Sequence, residues 1–220
     1  MDVKATRKIC FVTAAAALIA CTSALADLQQ GERYFAQGQY ALALTELQPL
    51  AKRGNAAAAF YLGVMYMEGR GVSQNVSSGI KLLHSSAEGG DSGAMLRLGR
   101  IYYDGQLHSQ DLQKAASYTR AAAEKGLGEA AVFLGALYFR GAGVPKDPST
   151  ALALFRDAAD TLEKAVRNGS ALPAALSDAR NATRALESKL TGEQISEAER
   201  IGRRWRSDKW LPGDDIQNVR

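Results

Sequence analysis

Cysteine is nearly absent from this chain. Its 220 residues contain two, and both fall within the first 26. Beyond Ala26, therefore, no disulfide, thiolate nucleophile or cysteine-based metal site can form. Histidine is as scarce: His84 and His108 stand alone, and their spacing suits no metal site. Both are expected at the surface, His84 in a helix and His108 in a loop. No metal and no cofactor is expected. Proline is rare, with 5 residues, and aromatics make up only 7%. No long alternating run of β-branched residues occurs, so nothing argues for a sheet. No glycine pattern matches a phosphate-cradling loop.

Long apolar runs are missing too. The apolar stretch Ile9 to Ala20 carries no charge and is too short to span a bilayer as a helix. It follows Lys4, Arg7 and Lys8 and precedes Ala24-Leu25-Ala26, with small residues at the −3 and −1 positions of a cleavage site. Residues 1–26 are thus expected to be a secretory signal, cut before Asp27. A second reading of the segment is a bacterial lipobox, Leu18-Ile19-Ala20-Cys21, in which Cys21 is lipidated. The soluble product is preferred, because the first repeat helix begins only a few residues later. A bacterial periplasm is the expected location, with an outer-membrane lipoprotein as the alternative. Removing the signal takes away three cations and Asp2, so the formal charge falls from +4 to +2. A near-neutral chain offers no phosphate-tracking surface, and no nucleic acid is expected as a partner.

What the sequence does have is a repeat. Leu62-Gly63-x-x-Tyr66 returns as Leu98-Gly99-x-x-Tyr102 and as Leu134-Gly135-x-x-Tyr138, 36 residues apart each time. Ala58, Ala94 and Ala130 keep the same register, as do Gly69, Gly105 and Gly141, and then Asn75, Asp111 and Asp147. Each unit reads as helix, loop, helix. A glycine ends the first helix. The Asn or Asp caps the second by accepting backbone N–H groups, and Pro148 falls at its first turn. Gly63, Gly99 and Gly135 lie within helices, where each costs about 1 kcal/mol relative to alanine. Three such glycines at one register predict a close helix–helix approach.

These residues resemble the Sel1-like repeat family, relatives of the tetratricopeptide repeats. Gly69-Arg70-Gly71-Val72 and Gly141-Ala142-Gly143-Val144-Pro145-Lys146-Asp147 match its loop closely, whereas Gly105-Gln106-Leu107-His108 lacks the second glycine and the valine. The expected fold is all-α: a right-handed α-solenoid over residues 27–162, in units of about 28–54, 55–90, 91–126 and 127–162. The first unit is four loop residues shorter, and Pro49 is expected to bend or break its second helix. Residues 163–220 are expected to form a C-terminal helical cap and a polar tail. That cap holds a helix over 175–190 and another opened by a Thr191/Gln194 capping box. Leu186, Ile195, Ala198 and Ile201 are its candidate buried positions.

Function is less legible. No pair of carboxylates suggests a glycan-acting enzyme, and the chain is expected to be non-enzymatic. The resemblance implies binding of a protein partner, as in exported scaffolds of envelope or polysaccharide machinery or in inhibitors of membrane sensors. By the same resemblance, a concave groove would be lined by Phe60, Val64 and Met67, then Leu96, Arg100 and Tyr103, then Val132, Phe139 and Arg140. A second candidate surface is basic: Arg200, Arg203, Arg204, Arg206 and Lys209, with Trp205 and Trp210. It suits an acidic partner or anionic headgroups. Contact with a membrane is expected only through that helix or through a lipid on Cys21. Asn75, Asn168 and Asn181 head Asn-x-Ser/Thr triplets, of which Asn75 is already needed as a cap.

Overall fold

The computed structural model describes residues 27–105, 109–171, 173–209 and 211–212. The signal-like segment with Cys21, the irregular loop 106–108, Trp210 and the tail 213–220 lie outside the described residues. Ten helical segments follow one another, with no strand among the described residues. They are α1 (27–36), α2 (Tyr40–Lys52), α3 (Ala56–Glu68), α4 (Val76–Glu88), α5 (Ser92–Asp104), α6 (Leu112–Glu124), α7 (Gly128–Arg140), α8 (Pro148–Arg167), α9 (Pro173–Glu187) and α10 (Gly192–Asp208). The contacts divide the chain into two compact units, residues 1–91 and 92–220.

In the first unit, α3 packs on α2 and α4. Its core is Ala43, Leu47, Leu50, Ala58, Leu62 and Met65, with half-buried Tyr34, Phe35, Tyr40 and Tyr61 around it. Pro49 does not break α2, which runs through it to Lys52. In the second unit, α5 pairs with α6 and α7 with α8, and α8 carries α9 and α10. Its core runs from Leu96 through Leu134, Leu152 and Phe155 to Trp205 and Leu211.

The local signals act as their chemistry dictates. The side-chain oxygens of Asn75, Asp111 and Asp147 accept from the N–H groups of Ser78, Lys114 and Ser149, each at 2.9 Å. Their own N–H groups donate to the carbonyls of Tyr66, Tyr102 and Tyr138, at 2.8, 2.9 and 2.9 Å, and so lock each loop onto the helix before it. The glycines inside α3, α5 and α7 mark close crossings. A methyl on Gly63 would press on Leu83 at 3.1 Å, one on Gly99 on the Thr119 hydroxyl at 2.5 Å, and one on Gly135 on Phe155 at 2.9 Å.

Two sequence expectations change. The boundary expected between residues 162 and 163 falls inside a helix, since the fourth unit's second helix continues to Arg167 and α8 has 20 residues against 13 in α4 and α6. The earlier helices are followed by Gly90 and Gly126, whose φ of 91° and 85° suit glycine. The residue at that register is now Leu162, which is buried and continues the helix. The helix α9 is placed two to three residues earlier than expected. In the cap Leu186, Ala198 and Ile201 are buried, while Ile195 is only half-buried.

Candidate functional site

The nine groove candidates fall in both units, and the structure treats them differently. In the first unit Val64 and Met67 are buried, and Phe60 is half-buried. Met67 nests against Gly79, where a side chain would collide with it. Neither Val64 nor Met67 presents a surface. Leu96 in the second unit is likewise part of the core. The transfer from tetratricopeptide geometry fails at these three positions, which are buried; at Met67 the facing Gly79 leaves the room that the side chain fills.

The remaining candidates of the second unit lie on α5 and α7, and most of them come together. Arg140 Nη1 donates to the Tyr103 hydroxyl at 2.8 Å. The Tyr103 ring meets Phe133 edge-on, with centroids 5.4 Å apart. Arg100 lies over the same Phe133 ring at 6.0 Å and reaches Glu129 at 3.9 Å. Val132 is half-buried beside the core, and Phe139 is 42% exposed. The result is a face of α5 and α7 with two exposed arginines, a half-buried Tyr–Phe pair and an exposed phenylalanine. Aromatic side chains flanked by arginine are the composition that protein interfaces favour at their centres. Phe133 was not among the sequence candidates. It lies one residue before the Leu134-Gly135 motif, where a residue of α7 that faces α5 can be found from helical spacing.

The first unit has an aromatic cluster as well. Phe35 lies 5.6 Å from Tyr40 and 5.0 Å from Tyr61, and Tyr61 lies 5.3 Å from Phe60. Arg70 covers Phe35 and Tyr40 at 5.9 and 5.5 Å, donates to the Tyr40 hydroxyl at 3.1 Å and pairs with Glu68 at 2.7 Å. This cluster joins the α3–α4 loop to the start of α2. Beside it, burial and then the charge of Asp91 push the Glu32 carboxyl above its usual range. Tyr61 is pushed up by burial and then by Glu32 and Asp91. A glutamine that the sequence reading missed closes each first helix: Gln74 donates to the Met67 carbonyl and Gln110 to that of Tyr103, both at 2.8 Å.

The basic surface is divided too. Arg200 is held by Glu197 at 2.7 Å. Arg203, Arg204 and Arg206 are exposed. Lys209 lies over the Trp205 ring at 5.1 Å, and its carbonyl accepts from Arg120 of α6 at 3.2 Å. Trp205 is fully buried, and its indole N–H donates to Asp157 of α8 at 2.8 Å. It is therefore a core residue and offers no aromatic anchor to a bilayer. Among the described residues, no helix is long and apolar enough to cross a membrane, and no three His, Cys, Asp or Glu side chains converge as metal ligands.

The 36-residue register, its caps and its close glycine crossings agree with a family model, the Sel1 repeat, which matches residues 56–91, 92–127 and 128–160. The chain carries three Sel1 repeats. Among solved structures, a Sel1 repeat protein from Oxalobacter formigenes is similar over 61% of this chain and 54% of its own, at 29% identity and a TM-score of 0.58. A protective antigen present in uropathogenic Escherichia coli strains, displaying an SLR fold, is similar over 90% of this chain and 48% of its own, at 25% identity and a TM-score of 0.48. The chain thus spans about half the length of these two proteins. No curated protein matches it. The fold is an all-α helical-repeat solenoid, as the resemblance implied. Sel1 repeats serve generally as non-enzymatic scaffolds for protein–protein interaction.

Proposed function

We propose that the protein is an exported, periplasmic Sel1-repeat adaptor that binds a protein partner through the α5–α7 face. The observation that carries this is the arrangement on that face. Arg100, Tyr103, Phe133 and Arg140 are held in place by one another, while Phe139 remains open to solvent. Pre-positioned side chains lose little freedom on binding, so the contacts they make are retained as affinity. The two arginines offer paired donors to acidic or carbonyl groups at the rim.

The export part rests on the charged, apolar and small-residue succession of residues 1–26. Mass spectrometry of the mature N-terminus tests it. A chain starting at Asp27 supports the soluble periplasmic form. A lipidated start at Cys21 would make the protein an outer-membrane scaffold with the same working face, and an uncleaved chain would remove the export reading. For the face itself, the test is Tyr103→Ala with Phe139→Ala. Partner capture is expected to fall by about thirtyfold or more, the loss of one hot-spot contact, with the helical circular dichroism unchanged. Undiminished capture by a folded double variant would refute it.

A further inference from the structure

Two hollows open beside α8. The larger, about 430 Å³, lies between α8 and α9 and is lined in part by Arg156, Asp160, Arg180 and Arg184. Two of its three arginines are already held. Glu163 accepts from Arg180 at 3.0 Å, and Glu187 accepts from Arg156 at 2.7 Å. Asp160 adds a negative charge to the lining. This hollow is close to neutral and gives an anion little to gain.

The smaller hollow, about 130 Å³, lies between α8 and α10. Its floor is made of small residues, Ala153, Ala198 and Gly202, and its rim of Arg156, Glu199, Arg203 and Arg206. Arg203 and Arg206 are one turn apart on the same side of α10, and both are exposed. Neither forms an ion pair with a described residue. Glu199 reaches only Arg156, at 3.8 Å. Arg203 and Arg206 thus stand without a carboxylate partner among the described residues around a hollow that no side chain fills, while Arg156 behind them is held by Glu187 at 2.7 Å. The position of α10 is set from beneath by Trp205 and its bond to Asp157, the neighbour of Arg156. The cluster is therefore assembled before any ligand arrives, and its mutual repulsion is relieved when an anion enters.

The size limits what can enter. Sites for whole small molecules run to about 300–1,000 Å³, so this one takes a single group. Two guanidiniums without a carboxylate partner, Arg203 and Arg206, suit an anionic oxygen cluster, and guanidinium forks match phosphate oxygens. We propose that Arg156, Arg203 and Arg206 form an anion site for the phosphate group of a phosphomonoester, whose remaining part lies outside along the exposed side of α10. The site is separate from the α5–α7 face, and neither stands or falls with the other.

The test is a titration of the full exported chain with inorganic phosphate, followed by amide NMR shifts. Two variants run beside the wild type. Arg203→Ala/Arg206→Ala removes two exposed charges. Gly202→Ala keeps every charge and places a methyl in the floor, where its nearest neighbours are Arg206 Nη1 at 3.6 Å and Ala153 at 3.8 Å. That methyl strains nothing, and alanine favours the helix. Expected are saturable shifts around Gly202 and Arg203, an affinity lower by about tenfold or more in the arginine variant, and a several-fold loss in Gly202→Ala with thermal stability kept or raised. An absence of saturable shifts in the wild type, or equal binding by the folded variants, would overturn the site. Glycerol phosphate and vesicles containing phosphatidic acid, run in parallel, name the source. Binding of the soluble ester alone indicates a free ligand, binding of both a headgroup, and binding of neither contradicts the proposal.

Discussion

The two units contain the same ingredients, aromatic rings and arginines on successive helices, and put them to different uses. In residues 1–91 a chain of four rings, Phe60, Tyr61, Phe35 and Tyr40, ends under Arg70, which is further tied to Glu68 and to the Tyr40 hydroxyl. The rings there link α1, α2 and α3, and Arg70 holds the α3–α4 loop against them. In residues 92–220 the arginines are tied less: Arg140 to one hydroxyl, Arg100 to a distant carboxylate and a ring edge. The second unit can leave that face open because its core is secured elsewhere, by the buried Trp205 that joins α10 to α8. Among the described residues the first unit has no fully buried aromatic, and its aromatic cluster serves stability. The comparison teaches that an aromatic–arginine cluster marks a binding surface only where the fold does not need it.

Six substitutions can break or sharpen that contrast. The largest effect is expected from Trp205→Ala, which empties a fully buried site and leaves Asp157 without its donor. A loss of about 3–5 kcal/mol is expected, seen as faster hydrogen exchange in α9 and α10 while protection in α2 and α3 is kept. Equal loss of protection in both units would show that Trp205 does not secure the second unit alone. Next is Gly143→Ala, at φ 75°. Its methyl would land on the Leu112 backbone carbonyl of α6, and a cost of about 3 kcal/mol follows from strain plus overpacking. Gly71→Ala in the first unit, also at positive φ, meets Tyr40 Cβ at 2.6 Å and its backbone carbonyl at 3.0–3.2 Å, a milder overlap that is expected to cost less. Thermal melts of the two variants check the order.

A smaller effect separates the clusters directly. Phe35→Ala is expected to lower stability by about 2 kcal/mol, since its ring contacts Tyr40, Tyr61 and Arg70. Phe139→Ala, at an exposed position, should stay within about 0.5 kcal/mol in denaturant titrations. The smallest is electrostatic. The Glu32 carboxyl is raised in the folded state by burial and by Asp91. A raised carboxyl binds more protons folded than unfolded, so stability falls as pH climbs from the ordinary glutamate value to the raised one. Glu32→Gln should remove that fall, with melting temperatures converging below it and the variant slightly higher at neutral pH.

Much of the fold was legible in the residues. The 36-residue register, the caps at Asn75, Asp111 and Asp147 and the Thr191/Gln194 capping box all have local chemistry that reads without a structure. The boundary drawn after residue 162 fell inside α8, because the repeat register ends there while the helix runs on to Arg167. The groove was half legible. Tyr103, Phe139, Arg100 and Arg140 share one face, but Val64, Met67 and Leu96 are buried, Met67 in the space that Gly79 leaves. A helical period says which side of a helix a residue occupies. It does not say how deeply the facing helix lets it sink. The hollow beneath Arg203 and Arg206 was invisible for the same reason, since it depends on packing between segments far apart in sequence.

The most direct measurement is site-specific photo-crosslinking in the native host from position 103, with the exposed position 81 of the first unit as the reference. A discrete protein captured from position 103 and not from position 81 is the expected result, and its yield should fall when Phe139→Ala is added. Equal capture from both positions, or capture from neither, would contradict the assignment of the α5–α7 face as the working surface.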